Sequence, residues 1–263
     1  RVEKGERAPG APLLQVEGLS VADGLGVVRV RDVSFEVRAG EIVGVAGVAG
    51  NGQSELLEAI AGMRPIAAGT IRLEGRELDA AGRDPHALRR RGLLHVPEDR
   101  LRMGLVPSFE AFESAALGFT DDPAFARGPL LDHGRMVADL EDKMRRYDVR
   151  PPAPRLKTSL FSGGNQQKIV LAREIERGPR VLLVGQPTRG VDIGAIEFIH
   201  RRLIELRDQG VGILLVSVEL EEIMSLSDRV IVMCGGRLTG ERRPDATDER
   251  DLGLLMAGVG EGA

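Results

Sequence analysis

Aromatic rings, thiols and lysines are all scarce in this chain. Of its 263 residues seven are Phe, one is Tyr and none is Trp, which argues against the stacking platforms that bind RNA or single-stranded DNA. The single cysteine, Cys234, excludes a disulfide framework and a cysteine-rich metal site. Set in an apolar run at 230–234, it reads as a small buried core residue in a reducing compartment. Only four of the 36 cations are lysines (Lys4, Lys143, Lys157, Lys168), so a phosphate-binding lysine has few places to be. The apolar runs at 181–184 and 213–216 fall far short of the ~18 residues that cross a bilayer. Basic residues total 36 against 40 acidic ones, a net charge of −4, so a broad attraction to nucleic acid is not expected. No charged-then-apolar leader opens the chain and residue 1 is Arg, so the sequence reads as cut from something longer.

What is present is a patterned α/β chain. Residues 1–11 mix charge, Gly and Pro without periodicity and read as a linker. Short β-like runs follow at 13–16, 27–30 and 33–37, then a strand at 41–45 that enters a glycine-rich stretch. A helix comes next, with Leu56, Leu57 and Ile60 on one face, and Arg64-Pro65 stops it. From 101 to 161 the pattern is helical; Met136, Leu140, Met144 and Tyr147 form a core stripe at steps of four and three. Strand and helix then alternate: strands at 181–184, 213–216 and 230–234, helices at 195–206 and 220–226. This implies a parallel sheet covered on both faces. A last helix at 248–256 has Thr247 as its expected N-cap.

Two glycine-rich loops carry the chemistry. The first, Gly47-Val48-Ala49-Gly50-Asn51-Gly52-Gln53-Ser54, fits the phosphate-cradling pattern G-x-x-x-x-G-K-[ST] except that Gln53 replaces the lysine. In such a loop successive backbone N–H groups close around phosphate oxygens, and the following helix points its positive end at the same anion. Ser54 keeps the hydroxyl that helps hold Mg²⁺. Gln53 brings no charge, and a charge-assisted hydrogen bond is worth about twice a neutral one. The dinucleotide fingerprint G-x-G-x-x-G fits worse, because Glu55 stands where its third glycine belongs. The second loop, Ser162-Gly163-Gly164-Asn165-Gln166-Gln167-Lys168, opens a helix that Ser162 can cap, with two glycines leaving the helix N–H groups bare.

That second loop resembles the signature motif of the ATP-binding cassette (ABC) transporters, in the S-G-G-N-Q-Q-K variant typical of their sugar and nucleoside uptake systems. The resemblance spans about residues 13–258. It implies an α/β P-loop NTPase (RecA-like) core with a small antiparallel β subdomain and an α-helical subdomain. Residues 12–100 would hold the β subdomain and first part of the core, 101–165 the helical signature subdomain, and 166–263 the rest of the core. The nucleotide-facing set is then Gly47, Gly50, Asn51, Gly52, Gln53, Ser54 and Glu55. The signature set is Ser162, Gly163, Gly164, Asn165 and Gln166. Val96-Pro97-Glu98-Asp99-Arg100 resembles the Q-loop segment, with Glu98 at the glutamine's place, and Asp192 is the retained aspartate of the D-loop.

By the same resemblance four groups are replaced. Gln53 stands for the lysine, Gly185 for the Mg²⁺-binding aspartate, Gln186 for the glutamate that polarises water, and Val218 for the switch histidine. None of His86, His95, His133 and His200 readily substitutes; His200 reads as a surface or packing residue. No aromatic but Phe35 precedes residue 47, and its alternation with Val33 and Val37 makes it a core residue rather than an adenine platform. Losing a positioned base alone costs ~10²–10⁴ in rate. The expectation is a cassette that hydrolyses no ATP at its own loop and lends its signature to Mg·ATP held by a second cassette, in the N-terminal half of the same chain. The implied work is import of a nucleoside or simple sugar on the cytoplasmic face of the inner membrane. The implied partners are permease subunits and, indirectly, an extracytoplasmic solute-binding protein, with no nucleic acid. The rival readings are a fully active cassette with non-standard residues and a soluble nucleotide-dependent ABC regulator.

Overall fold

The computed structural model describes residues 4–5, 8–79, 82–127 and 130–259. In chain order its elements are β1 (Pro12–Ala22), β2 (Val28–Arg38), β3 (Ile42–Ala46), α1 (Gln53–Ile60), β4 (Ala68–Leu73), β5 (Arg76–Glu77), α2 (Pro85–Arg90), β6 (Leu93–Val96), α3 (Ala111–Ala116), β7 (Ala126–Arg127), β8 (Leu130–Leu131), α4 (His133–Arg146), α5 (Gly163–Ile175), β9 (Val181–Gly185), α6 (Ile193–Asp208), β10 (Gly212–Val216), α7 (Leu220–Leu226), β11 (Arg229–Cys234), β12 (Arg237–Arg242) and α8 (Glu249–Met256). The chain packs as two compact units, one of residues 1–95, 179–186 and 200–263, the other of 96–178 and 187–199. The second unit is thus larger than the 101–165 segment expected to be helical. The packing of α5 on α3 and α4 draws in the whole of that helix. Among the described residues no helix is long and apolar enough to cross a membrane.

The first unit holds two sheets. A four-stranded sheet runs β2-β1-β4-β5 with antiparallel neighbours. The runs at 27–30 and 33–37, expected as separate strands, form one strand, β2. The three-residue step from Val30 to Val33 breaks strict alternation. Asp32, at φ 52°, absorbs the extra residue and its N–H donates to Ser20 Oγ. This β-bulge keeps Val30, Val33, Phe35 and Val37 all facing the core. Phe35 is therefore a core residue, as its alternation predicts.

The six-stranded sheet runs β12-β11-β3-β10-β9-β6. Strands β3, β9 and β10 are buried along their whole length, which is why they read as unbroken apolar runs. Neighbours β9, β10, β3 and β11 are parallel, with Gly185 level with Val216 and Val216 level with Val45. Two expectations shift at the C-terminal end of this unit. Asp248, not Thr247, caps α8 by accepting the Asp251 N–H, because Thr247 turns its hydroxyl to the Asp251 carboxylate instead. Cys234 is half-buried rather than fully buried, since it is the last residue of β11 before an exposed glycine turn.

The second unit is helical with a small hairpin, β7–β8. Asp132 caps α4, and the stripe Met136, Leu140, Met144 and Tyr147 is buried, as its spacing predicts. Tyr147 meets Phe198 edge-on at 5.6 Å and donates its hydroxyl to Glu176. Phe112, Phe125 and Phe161 are buried as well. Arg177 lies over the rings of both Phe119 and Phe125. Four of the six rings in this stretch, Phe112, Phe125, Tyr147 and Phe161, lie in the core of the unit, while Phe109 is exposed and Phe119 half-buried.

Candidate functional site

In open α/β sheets ligands bind outside the carboxyl ends of the strands. The strand register brings three such ends together in the first unit: β3 runs into Gly47, β9 ends at Gly185, and β10 runs into Ser217 and Val218. The glycine loop, the pair Gly185-Gln186 and the switch position Val218 therefore share one edge. The sequence pattern named these residues separately, and the register aligns the strand ends that carry them.

Gly52 begins α1 at φ 101°, a conformation open to glycine, and a Cβ there would lie 2.3 Å from the Arg29 carbonyl oxygen. Gln53 is buried, and its Nε2 donates to the Val48 carbonyl at 3.1 Å. The same amide nitrogen lies 2.3 Å from where a Cβ on Gly47 would stand. The side chain thus folds back into its own loop. Asn51 fastens the loop to the β11–β12 turn, accepting from Gly235 N at 3.0 Å through its side chain and from Gly236 N through its carbonyl. Ser54 and Glu55 sit half-buried at the start of α1.

Gln186 occupies the left-handed region at φ 46°. Its N–H donates to Val216 O at 2.8 Å, and its Oε1 accepts the Val218 N–H at 3.2 Å. A neutral amide thus ties the end of β9 to the switch position. His200 pairs with Glu222 at 2.8 Å, a packing role. Among the described residues no group of three His, Cys, Asp or Glu could hold a metal ion.

The signature lies in the second unit and is tightly built. Ser162 caps α5, accepting the Asn165 N–H, and is itself exposed. Asn165 exchanges hydrogen bonds with the Arg150 backbone, its Oδ1 accepting at 2.9 Å and its Nδ2 donating at 2.8 Å. Gln166 is buried, with Nε2 donating to Thr158 O at 3.0 Å. The glycines are required by close neighbours. A Cβ on Gly163 would lie 2.5 Å from both Arg100 Nη2 and the Gly190 carbonyl oxygen, and one on Gly164 would lie 2.6 Å from Asp192 Oδ2. Asp192 in turn accepts the Ala195 N–H at 2.9 Å, capping α6. Signature and D-loop are thus in direct contact. Glu98 sits half-buried in the same unit.

Parallel strands feeding a glycine loop and helix, with an antiparallel sheet beside them in the chain, define a P-loop NTPase of the ATP-binding-cassette fold. The profile described as "ABC transporter" matches residues 30–189, and the chain belongs to that family. It is 46% identical over 259 residues to the guanosine import ATP-binding protein NupO of Bacillus subtilis (strain 168), covering 98% of this chain and 50% of that protein. It is 41% identical over 256 residues to the nucleoside import ATP-binding protein NupA of Lactococcus lactis subsp. cremoris (strain MG1363), covering 97% and 50%. The chain spans about half the length of the curated relatives it matches. Among solved structures, a dimeric ATP-binding cassette in a post-hydrolysis state bound to ADP and Pi superposes with a TM-score of 0.74 at 20% identity, covering 88% of this chain and 99% of that one. That likeness establishes the fold.

Proposed function

We propose that this chain is the second, hydrolysis-deficient cassette of a two-cassette importer protein for nucleosides or simple sugars. It works on the cytoplasmic face of the membrane beneath permease subunits that receive solute from an extracytoplasmic binding protein. The observation that carries the reading is the contrast between its two loops. At the carboxyl edge of the sheet every charged group of a hydrolytic site is replaced, by Gln53, Gly185, Gln186 and Val218. Gln53 donates to the Val48 carbonyl of its own loop, and Gln186 accepts the Val218 N–H, both neutral hydrogen bonds. The residues present do not fit Mg²⁺, since the one hydroxyl of Ser54 has no carboxylate at Gly185 or Gln186 to share a metal with. The signature, by contrast, is complete, with Asn165 held by the Arg150 backbone and Gln166 by the Thr158 carbonyl.

The chain therefore acts through Ser162 and the bare N–H groups of Gly163 and Gly164, presented at the positive end of α5 to ATP on a partner cassette. Asn165 and Gln166 position that end from within. The half-length match to two-cassette-sized relatives supports a partner cassette in the same polypeptide. The names of the guanosine and nucleoside import relatives support nucleosides as the solute class.

The test is uptake and ATP turnover by the native full-length protein with its permease in proteoliposomes. Ser162→Ala combined with Gly163→Asp is expected to abolish both, whereas Ser54→Ala leaves most of each. Equal losses from the two changes would overturn the asymmetric assignment.

A further inference from the structure

Arg100 closes the segment Val96-Pro97-Glu98-Asp99-Arg100 and is the first residue of a single wide helical turn, Arg100–Gly104. Its guanidinium faces two separate pieces of the second unit, the start of α5 and the backbone at 189–190. Nε donates to the Gln166 side chain at 3.3 Å, Nη1 to the Arg189 carbonyl at 2.9 Å and Nη2 to the Gly190 carbonyl at 3.4 Å. Nη2 also lies against Gly163, where a Cβ would stand 2.5 Å away. One planar cation thus joins the Q-loop-like segment, the signature helix and the D-loop. Burial pulls its pKa down while Asp99 opposes that shift. A guanidinium stays charged through such a change.

The turn that carries Arg100 is fixed at both ends. Asp99 Oδ1 accepts from Leu101 N and Arg102 N, both at 3.0 Å. At the far end Arg173 of α5, fully buried beside Glu174, donates to Gly104 O at 2.6 Å and to Ser114 O at 3.1 Å. The segment 98–104 is therefore mounted on α5 by one arginine in front and one behind. A displacement of Glu98 and Asp99 would strain or break the Arg100 contacts to Gln166 and to the 189–190 backbone.

We propose that Arg100 is the positioning residue that sets the signature loop and the D-loop against the segment around Glu98, so that movement of that segment is delivered to the N-terminus of α5. The assignment rests on the reading that this signature completes a partner cassette's ATP site. Arg100 acts through Gln166, Gly163 and Gly190. Its three acceptors are met by three different nitrogens of one planar guanidinium fork, which the compact ammonium of a lysine does not reproduce.

The experiment uses the full-length protein reconstituted with its permease. ATP turnover is compared for wild type, Arg100→Ala, Arg100→Lys and Gly163→Asp, with binding of a fluorescent ATP analogue to the partner cassette as a second readout. Arg100→Ala and Arg100→Lys are both expected to lower kcat about 10-fold or more, with KM for ATP and analogue affinity within about twofold of wild type. Normal kcat in Arg100→Ala beside an inactive Gly163→Asp would overturn the role of Arg100 and leave the composite-site reading standing. Normal turnover in Gly163→Asp would overturn that reading itself. Full activity in Arg100→Lys, or a rise in KM that tracks a lowered melting temperature, would reduce Arg100 to a fold-stabilising residue and also overturn the proposal.

Discussion

The side-chain amide of Gln53 donates to the backbone carbonyl of Val48, 3.1 Å away, inside the loop that both residues belong to. The Val48 carbonyl also accepts the Asn51 N–H at 3.2 Å. The loop is thus satisfied internally at the position where a phosphate-binding loop extends a lysine. Replacing Gln53 by Lys puts an ammonium at a buried position with no anion to meet it. An unpaired neutral polar group costs about 1–3 kcal/mol on burial, and a charged one more. We expect Gln53→Lys to melt below wild type, by roughly 2–4 °C per kcal/mol for a chain of this size. Mg·ATP is expected not to restore the loss, because Gly185 and Gln186 supply no metal ligand. Calorimetry with and without Mg·ATP checks this, and full recovery of the melting temperature by Mg·ATP would show that the lysine alone rebuilds a nucleotide site.

Gln186 holds a strained backbone and a useful side chain at once. Its φ of 46° costs a non-glycine residue roughly 1–3 kcal/mol, and the hydrogen bond from Val218 N is part of what holds it there. A carboxylate accepts the same N–H, so Gln186→Glu should fold like wild type, with a melting temperature within about 3 °C of it. Restoring the base returns ~10²–10⁴ at most, while the metal carboxylate and lysine remain absent. Phosphate release by the purified Gln186→Glu fragment is therefore expected to stay at background. Measurable turnover would mean that another group in this chain supplies the metal site.

Much of this site was legible in the sequence because it depends on residue type at fixed spacing. The unbroken apolar runs of β9 and β10 announced buried parallel strands. Gln53, Gly185, Gln186 and Val218 stood out against a recognisable pattern. The contacts that give those residues meaning were not legible. Arg100 reaches Gln166 and Arg189 across 66 and 89 positions, and no local pattern encodes such a meeting. The merging of two expected strands into β2 depends on Asp32 taking a left-handed backbone. The strands β4, β5, β6 and β12 are not assigned from the sequence, and β7 and β8 fall in the 101–161 stretch expected to be helical. Such strands are held by pairing with neighbours rather than by periodicity of their own. The inward turn of Gln166 was hidden as well: the motif groups it with Ser162, Gly163 and Gly164 as residues that clamp a partner's ATP, whereas its buried amide donates to the Thr158 carbonyl.

Gly164 and Asp192 are coupled by contact. A methyl on Gly164 would meet Asp192 Oδ2 at 2.6 Å and the Ala195 side chain at 3.3 Å, displacing the carboxylate that caps α6. Overpacking of this kind costs about 1–3 kcal/mol, and a lost cap about 1 kcal/mol. Urea unfolding of Gly164→Ala, Asp192→Ala and the double variant forms a cycle. We expect the double variant to be clearly more stable than the sum of the single losses implies, since truncating Asp192 makes room for the methyl. Strict additivity would show that the two loops are energetically independent.

Residues 4 and 5, read from sequence as part of a linker, are docked on the first unit. Arg207, with 1% of its side chain exposed, grips Asp228 through Nε and Nη2 at 3.0 and 2.9 Å and donates Nη1 to the Gly5 carbonyl at 2.9 Å. Lys4 reaches Asp228 at 3.4 Å and also donates to the Ser227 carbonyl. The two cations are not equivalent. Removing one partner of a buried pair costs about 3–5 kcal/mol, so Arg207→Ala should unfold at much lower urea and release Lys4 and Gly5, which limited proteolysis at Lys4 reads out. For Lys4, burial lowers the pKa below its ordinary 10.5 by more than Asp228 raises it. The folded state therefore binds fewer protons than the unfolded one between the lowered value and 10.5, and stability rises with pH across that window. Lys4→Met should then lie within about 1 kcal/mol of wild type at neutral pH, and its unfolding curve should lack that alkaline rise. A large neutral-pH loss in Lys4→Met, with little effect from Arg207→Ala, would place the anchor of this segment on the lysine instead.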